Sequence, residues 1–203
     1  MTGLLAAHEQ TQILVDMDGV IANLDAAIEK ELQAKRPSLR PVRPRSNFYI
    51  MEDYPAAIHG LIESIFRTPG LYRHLDVVKG ALNGWYAITE AGYQPRICSS
   101  ILPENPTCQA DKLSWLEEHM VPHFGYSIIS EAIFDRDKSK YPALALIDDK
   151  PEIRVSQPPL WTHIVFDAPY NQNSSSPIRL YGWDDPNLTP LLDYLRSNDE
   201  AKA

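Results

Sequence analysis

The sequence predicts an α/β fold: a mainly parallel sheet with a helical insertion after its first strand. Three observations carry the prediction. Short apolar runs ending in polar residues recur along the chain, amphipathic helix-like stretches lie between the later ones, and one long segment breaks the alternation early.

The runs are TQILVD (11–16), PRICSS (95–100), ALALIDD (143–149) and THIVFD (162–167). Their continuous apolar character is that of strands covered on both faces. DKLSWLEEHM (111–120) and VKGALNGWYAITEAG (78–92) have the pattern of helices, with Gly92 placed where a left-handed cap residue ends the second of these. The interruption holds a helix-like LDAAIEKELQAK (24–35), the proline-rich RPSLRPVRPRSNFYIMEDYP (36–55) and a second helix-like AAIHGLIESIFR (56–67). Aromatic residues directly follow the prolines, which marks an ordered loop rather than a linker. The expected organisation is therefore a core of residues 1–23 and 77–203 and a helical cap of residues 24–76. The final SNDEAKA (197–203) reads as a frayed polar tail.

The chain has 203 residues, 44% apolar and 23% charged, enough for one substantial core. Its formal net charge of −8 argues against a nucleic-acid polymer, which is held by clustered Lys and Arg. A small anion is compatible, since a few local cations or a metal can bind it. No apolar window has the length of a membrane span, and MTGLLAAHEQTQ lacks the basic start of a secretory signal. Cys98 and Cys108 make neither a disulfide framework nor a metal set, and Cys98 reads as a buried thiol. These features point to the cytoplasm.

In open parallel sheets the ligand site lies beyond the carboxyl ends of the strands. The polar residues cluster there: Asp16 and Asp18 after the first run, Ser99 and Ser100 after the second, Asp148 and Asp149 after the third. The D-x-D-G of residues 16–19 is not an EF-hand loop, because Val20 and Ile21 occupy its fifth and sixth positions. It suits phosphoryl transfer. One carboxylate attacks phosphorus, and the second protonates the leaving oxygen and later deprotonates water. Cations must offset the charge that accumulates, and Mg²⁺ suits a site made only of oxygens. Asp148 is placed as a metal ligand and Lys138 as a neutralising side chain.

The order DMDGV (16–20), ICSS (97–100), Lys138 and IDD (147–149) resembles the four motifs of the haloacid dehalogenase-like superfamily. Within it, DMDGVIANLD, ICSSILPENP followed by DKLSWLEEHM, and FDRDKSKYPALALIDDKPE most resemble the 5'(3')-deoxyribonucleotidases. The resemblance runs from about residue 12 to residue 186 and is weakest through 24–70. It implies a Rossmann-like core, with Asp16 as nucleophile and Asp18 as general acid/base. Asp16, the backbone carbonyl of Asp18, and Asp148 would hold Mg²⁺, with Asp149 in support. Ser99 and Lys138 would bind the phosphoryl group; Ser100, Lys112 and Arg136 match substrate-contacting positions. Asp18 sets the chain apart from dehalogenases, which lack the second acid, and from P-type ATPases, which replace it. The implied partner is a small phosphomonoester, foremost a nucleoside monophosphate and particularly a deoxyribonucleotide, with homodimerisation left open.

The sequence departs from the nucleotidase pattern at Ser99, where relatives usually carry Thr, and at Leu24, where they often place an aromatic against the base. Phe48, Tyr49, Tyr54 and Tyr72 are candidates either for that stacking or for cap-to-core packing. Lys112 and Arg136 also have a plain reading as exposed ion-pair residues, Lys112 with Asp111 or Glu117. His119 and His123 have metal-ligand spacing, but Pro122 breaks the helix that would align them. The four tryptophans read as packing. Three alternatives to a nucleotidase remain: a phosphatase for another small metabolite, a phosphotransferase with an alcohol acceptor, and a phosphate-binding module without catalysis.

Overall fold

The computed structural model describes residues 11–41, 44–184 and 186–200. Six strands form one sheet: β1 (Gln12–Val15), β2 (Gln94–Ser99), β3 (Ile133–Phe134), β4 (Ala145–Asp148), β5 (Thr162–Phe166) and β6 (Ile178–Leu180). Their order is β3-β2-β1-β4-β5-β6, and every adjacent pair is parallel. The sequence-based α/β assignment is therefore correct. β1 is central, and its Ile13, Leu14 and Val15 are completely buried, as its unbroken apolar run requires.

Register explains why the polar residues meet. Val15 is paired with Ile97 on one side and Ile147 on the other. Asp16 continues the ladder by donating its N–H to the Ile147 carbonyl at 2.9 Å. The chain therefore delivers Asp16, Ser99 and Asp148 to one edge of the sheet.

One face of the sheet carries Ile13, Val15, Ile97, Ile147 and Ile164, covered by α3 (Ala81–Glu90), α4 (Cys108–His119) and α7 (Thr189–Glu200). Trp85, Trp115 and Trp183 are buried in this layer. Trp183 lies so close to Gly84 that a Cβ there would fall 2.1 Å from its ring, and its indole N–H donates to the Val20 carbonyl at 2.7 Å. The opposite face packs Leu14, Cys98, Ile133 and Leu146 against Trp161. Two short helices, α5 (Val121–Phe124) and α6 (Ser127–Ser130), connect α4 to β3.

Between β1 and β2 lie α1 (Leu24–Lys35) and α2 (His59–Phe66), joined through short 3₁₀ turns at Ile50–Asp53 and Ala56–Ile58. The Asn23 side chain caps α1 by accepting from the Ala26 N–H at 3.2 Å. Ile28, Leu32, Ile50, Tyr54, Ile62 and Ile65 make a separate apolar cluster for this segment. The proline-rich stretch is tied down by Asp53, which accepts from Arg45, Ser46 and Asn47.

Boundaries shift by a few residues, and several elements are additions to the sequence-based list. β3, β6 and α7 have no counterpart in it. The tail is a correction: Ser197 and Asn198 continue α7, while residues 201–203 lie outside the described ones. Residues 1–10 also lie outside them, as do Val42 and Arg43 of the proline-rich loop. Gly92 does take a left-handed conformation, φ +86°, just past α3. The helix does break between His119 and His123, at Met120, and α5 begins at Val121 with Pro122 in its first turn. Among the described residues no helix is long and apolar enough to cross a membrane.

Candidate active site

The turn after β1 is shaped by one left-handed glycine. Gly19 has φ +76°, and the N–H groups of Val20, Ile21 and Ala22 all point back to the Met17 carbonyl. That fold presents Asp16 and Asp18 on the same side of the sheet edge. A Cβ at Gly19 would fall 2.2 Å from an Asp149 carboxylate oxygen, so the turn and the strand-end acids are in close packing.

Two buried lysines organise the acids into two pairs. Lys138, in a 3₁₀ turn after β3, reaches Asp148 at 2.5 Å and Asp16 at 3.0 Å. Lys112, on α4, reaches Asp18 at 2.8 Å, the Ser99 hydroxyl at 2.9 Å and the Ser100 carbonyl at 2.8 Å. The exposed ion pair of Lys112 with Asp111 or Glu117 is thus corrected. Lys112 is fully buried, and Asp111 instead accepts from Thr107 and the Gly70 N–H. The sequence carries a signal for this: Cys108, Trp115 and Leu116 lie on the same helical face, four back and three and four ahead of Lys112.

Burial would raise the Asp16 carboxyl, but the ammonium groups of Lys138 and Lys112 hold it below the ordinary aspartate range. For Asp18 burial wins over Lys112, and the neighbouring Asp16 adds to the upward push. Asp18 Oδ1 is buried and has no hydrogen-bond partner. Asp149 is raised well above the usual value by burial and then by Asp148 and Asp16, although the Tyr170 hydroxyl donates to it.

Asp16, Asp148 and Asp149 each offer a carboxylate oxygen within 4.8 Å of the others. An all-oxygen set in which three close carboxyl groups share the single Lys138 ammonium fits a hard divalent cation. His119 and His123 take no part: His119 packs on Trp115, and His123 stands beside Tyr86 and Phe124.

A cavity of about 420 Å³ opens over these residues, in the range of small-molecule sites. Asp16, Asp18, Ser99 and Ser100 line it from the sheet edge. Leu24, Phe48, Tyr49 and Phe66 line it from the insertion, together with Tyr72. Arg136 lines it too and is exposed. Tyr54 is not part of this lining; it is buried in the insertion's apolar cluster. Arg45 and Tyr170, which sequence reasoning does not single out, also face the cavity, with the guanidinium 4.2 Å from the ring centre.

Comparison with known proteins places this geometry. The family described as 5' nucleotidase, deoxy (pyrimidine), cytosolic type C protein matches residues 10–192. A Bordetella bronchiseptica protein named as a putative 5'(3')-deoxyribonucleotidase is 37% identical over 170 residues, 83% of this chain and 89% of that protein. The human cytosolic-type 5'(3')-deoxyribonucleotidase is 32% identical over 198 residues, 91% of this chain and 94% of its own. Among solved structures, a haloacid dehalogenase-like hydrolase from Xanthomonas campestris superposes with TM-score 0.50 at 14% identity, covering 96% of this chain and 98% of that one. That likeness establishes the fold. The chain belongs to the cytosolic type C family of deoxy (pyrimidine) 5'-nucleotidases.

Proposed function

We propose that the protein is a Mg²⁺-dependent phosphomonoesterase that dephosphorylates (deoxy)ribonucleoside monophosphates through an aspartyl phosphate on Asp16. The observation that carries this reading is the meeting of two carboxylate–lysine pairs, Asp16–Lys138 and Asp18–Lys112, whose acids line one cavity. Phe48, Tyr49 and Phe66, which line the same cavity from the insertion, suit the flat apolar face of a base.

In the first step the Asp16 carboxylate attacks phosphorus, the ester P–O bond breaks, and Asp18 gives its proton to the leaving oxygen. In the second, Asp18 takes a proton from water, the water oxygen attacks phosphorus, and phosphate leaves with Asp16 restored. The opposed environments of the two acids support this division: an anion for attack and a raised carboxyl for proton donation. Ser99 and Lys138 bind the phosphoryl oxygens. Asp16, Asp148, Asp149 and the Asp18 carbonyl would hold Mg²⁺, which when bound offsets negative charge on the transferring group. Ser100 and Arg136 contact substrate, and Lys112 holds Asp18 and Ser99 in place. Residues 24–76 act as the cap that excludes water from the site. We place the activity in the cytoplasm.

The test is phosphate release from a panel of ribo- and deoxyribonucleoside monophosphates and sugar phosphates, with Mg²⁺, with EDTA, and with Asp16→Asn. Turnover of nucleotides that EDTA and the substitution both abolish is the expected result. Turnover of sugar phosphates alone would retain the chemistry and overturn the substrate class.

A further inference from the structure

We propose that Tyr170 is a positioning residue that fixes the cap and the acid cluster to each other, an inference that rests on the phosphatase reading above. Its hydroxyl donates to Asp149 Oδ2. Its ring receives the Arg45 guanidinium 4.2 Å from its centre and the Phe48 ring at 5.7 Å, both from the cap. One side chain thus touches a strand-end acid and two residues of the segment that closes the cavity.

The turn that carries Tyr170 is built to hold it still. Asn171 is completely buried, and its amide donates to the Asp149 carbonyl at 2.8 Å and the Phe166 carbonyl at 2.7 Å. Its own oxygen accepts from the Ala168 N–H at 3.0 Å and from Arg179 at 2.8 Å. The residue after Tyr170 is therefore bonded to the backbone of the acid that Tyr170 orients. On the cap side, Arg45 is fixed with equal care by Asp25 at 2.9 Å, Asp53 at 3.2 Å and the Phe48 carbonyl at 2.9 Å. Lys150, the neighbour of Asp149, stands 5.3 Å from the other contact of Tyr170, the Phe48 ring.

The two halves of the side chain have separable roles. The hydroxyl sets which way an Asp149 oxygen points, as a group bonded to a metal-site carboxylate does. The ring, by stacking with Arg45, favours the closed position of the cap. Cap closure and acid arrangement are then set by one residue, so a cap that lifts releases a contact to the acid cluster's own partner.

The experiment compares Tyr170→Phe, Tyr170→Leu, Arg45→Met and the Tyr170→Leu/Arg45→Met double variant. Amide hydrogen exchange across residues 44–53 is followed in the substrate-free protein, alongside kcat, KM and calorimetric Mg²⁺ affinity. Tyr170→Leu should speed exchange about fivefold, and Arg45→Met should speed it more because it also gives up the bonds to Asp25, Asp53 and the Phe48 carbonyl. The double variant should fall short of the product of the two because both remove the same stacked contact. Tyr170→Phe keeps the ring and should exchange as the wild type does, while losing roughly tenfold in kcat and in Mg²⁺ affinity. Wild-type exchange in Tyr170→Leu, or additive effects in the double variant, would overturn the ring's role. Wild-type kcat and Mg²⁺ affinity in Tyr170→Phe would overturn the hydroxyl's role. A wild-type protein that releases no phosphate from nucleotides would defeat the functional reading alone, since exchange and Mg²⁺ affinity would still decide this one.

Discussion

Lys112 Nζ lies 2.8 Å from Asp18 Oδ2, an ion pair made by a lysine that α4 buries completely. The same ammonium holds Ser99 and the Ser100 carbonyl, so one cation fixes residues from two strand ends. Lys112→Met keeps the stem and removes the charge, leaving Asp18 close to Asp16 without its ion-pair partner and with only the weaker influence of Lys138. We expect kcat to fall about 100-fold, the scale of losing a group that orients a general acid. Thermal unfolding should show a loss of about 2–4 kcal/mol, reduced from the fully buried case because Asp18 retains some access to water. Wild-type kcat with a lowered melting temperature would assign Lys112 to stability alone.

That pair also shows how far the sequence can be read. Strands and acids are legible because β4 and the last three residues of β1, β2 and β5 are buried, and such runs stand out against polar neighbours. β3 and β6, of two and three residues at the two edges of the sheet, are too short to form a pattern. α7 begins at Thr189 with Pro190 in its first turn and carries a polar face, so its end passes for a tail. Lys112 misleads because charge usually marks an exposed face, and its place on the apolar stripe of α4 is the weaker signal. Arg45 and Tyr170 give no local signal at all: they are far apart in the chain and meet only when it is folded.

Arg136 differs from Lys112 in being exposed at the cavity, where it can bind without holding other catalytic groups. Arg136→Ala should raise KM about tenfold and leave kcat within roughly twofold, the signature of lost uniform binding to an anionic substrate. Steady-state kinetics with a nucleoside monophosphate separates the two constants. An equal fall in kcat and kcat/KM would place Arg136 in the transition state instead.

Gly19 is the position where backbone and site are least separable. An alanine there must hold φ +76° and place a methyl 2.2 Å from an Asp149 oxygen and 3.1 Å from the Tyr170 hydroxyl. Left-handed strain alone costs about 1–2 kcal/mol, and displacement of Asp149 adds to it. Gly19→Ala should therefore lose most turnover while unfolding only modestly earlier in urea. Full activity in that variant would mean that the turn and Asp149 can shift without consequence.

Asp53 gives the insertion between β1 and β2 a dependence on pH with its own titrating group, apart from the strand-end acids. Its carboxylate is buried and accepts from the Ser46 and Asn47 N–H groups, both their side chains and Arg45. Burial opposes ionisation, but these donors outweigh it and hold the group below the ordinary value of 3.8. A depressed folded-state value means that the carboxylate's contribution is complete above 3.8 and is lost as the pH falls through the lower folded value. Asp53→Ala should destabilise the insertion by about 3 kcal/mol at neutral pH, because several buried donors lose their acceptor together. Asp53→Asn, with one acceptor oxygen and no charge, should lose less. As the pH falls below 3.8 through the lower folded value, Asp53→Asn should converge on the wild type, whose carboxyl becomes neutral, while Asp53→Ala stays less stable because it offers no acceptor. Hydrogen exchange of residues 44–53 from about pH 3 to about pH 7, corrected for intrinsic rates, reads this directly. A gap between wild type and Asp53→Asn that stays constant across that range would rule out the carboxylate's charge as the source of the insertion's stability.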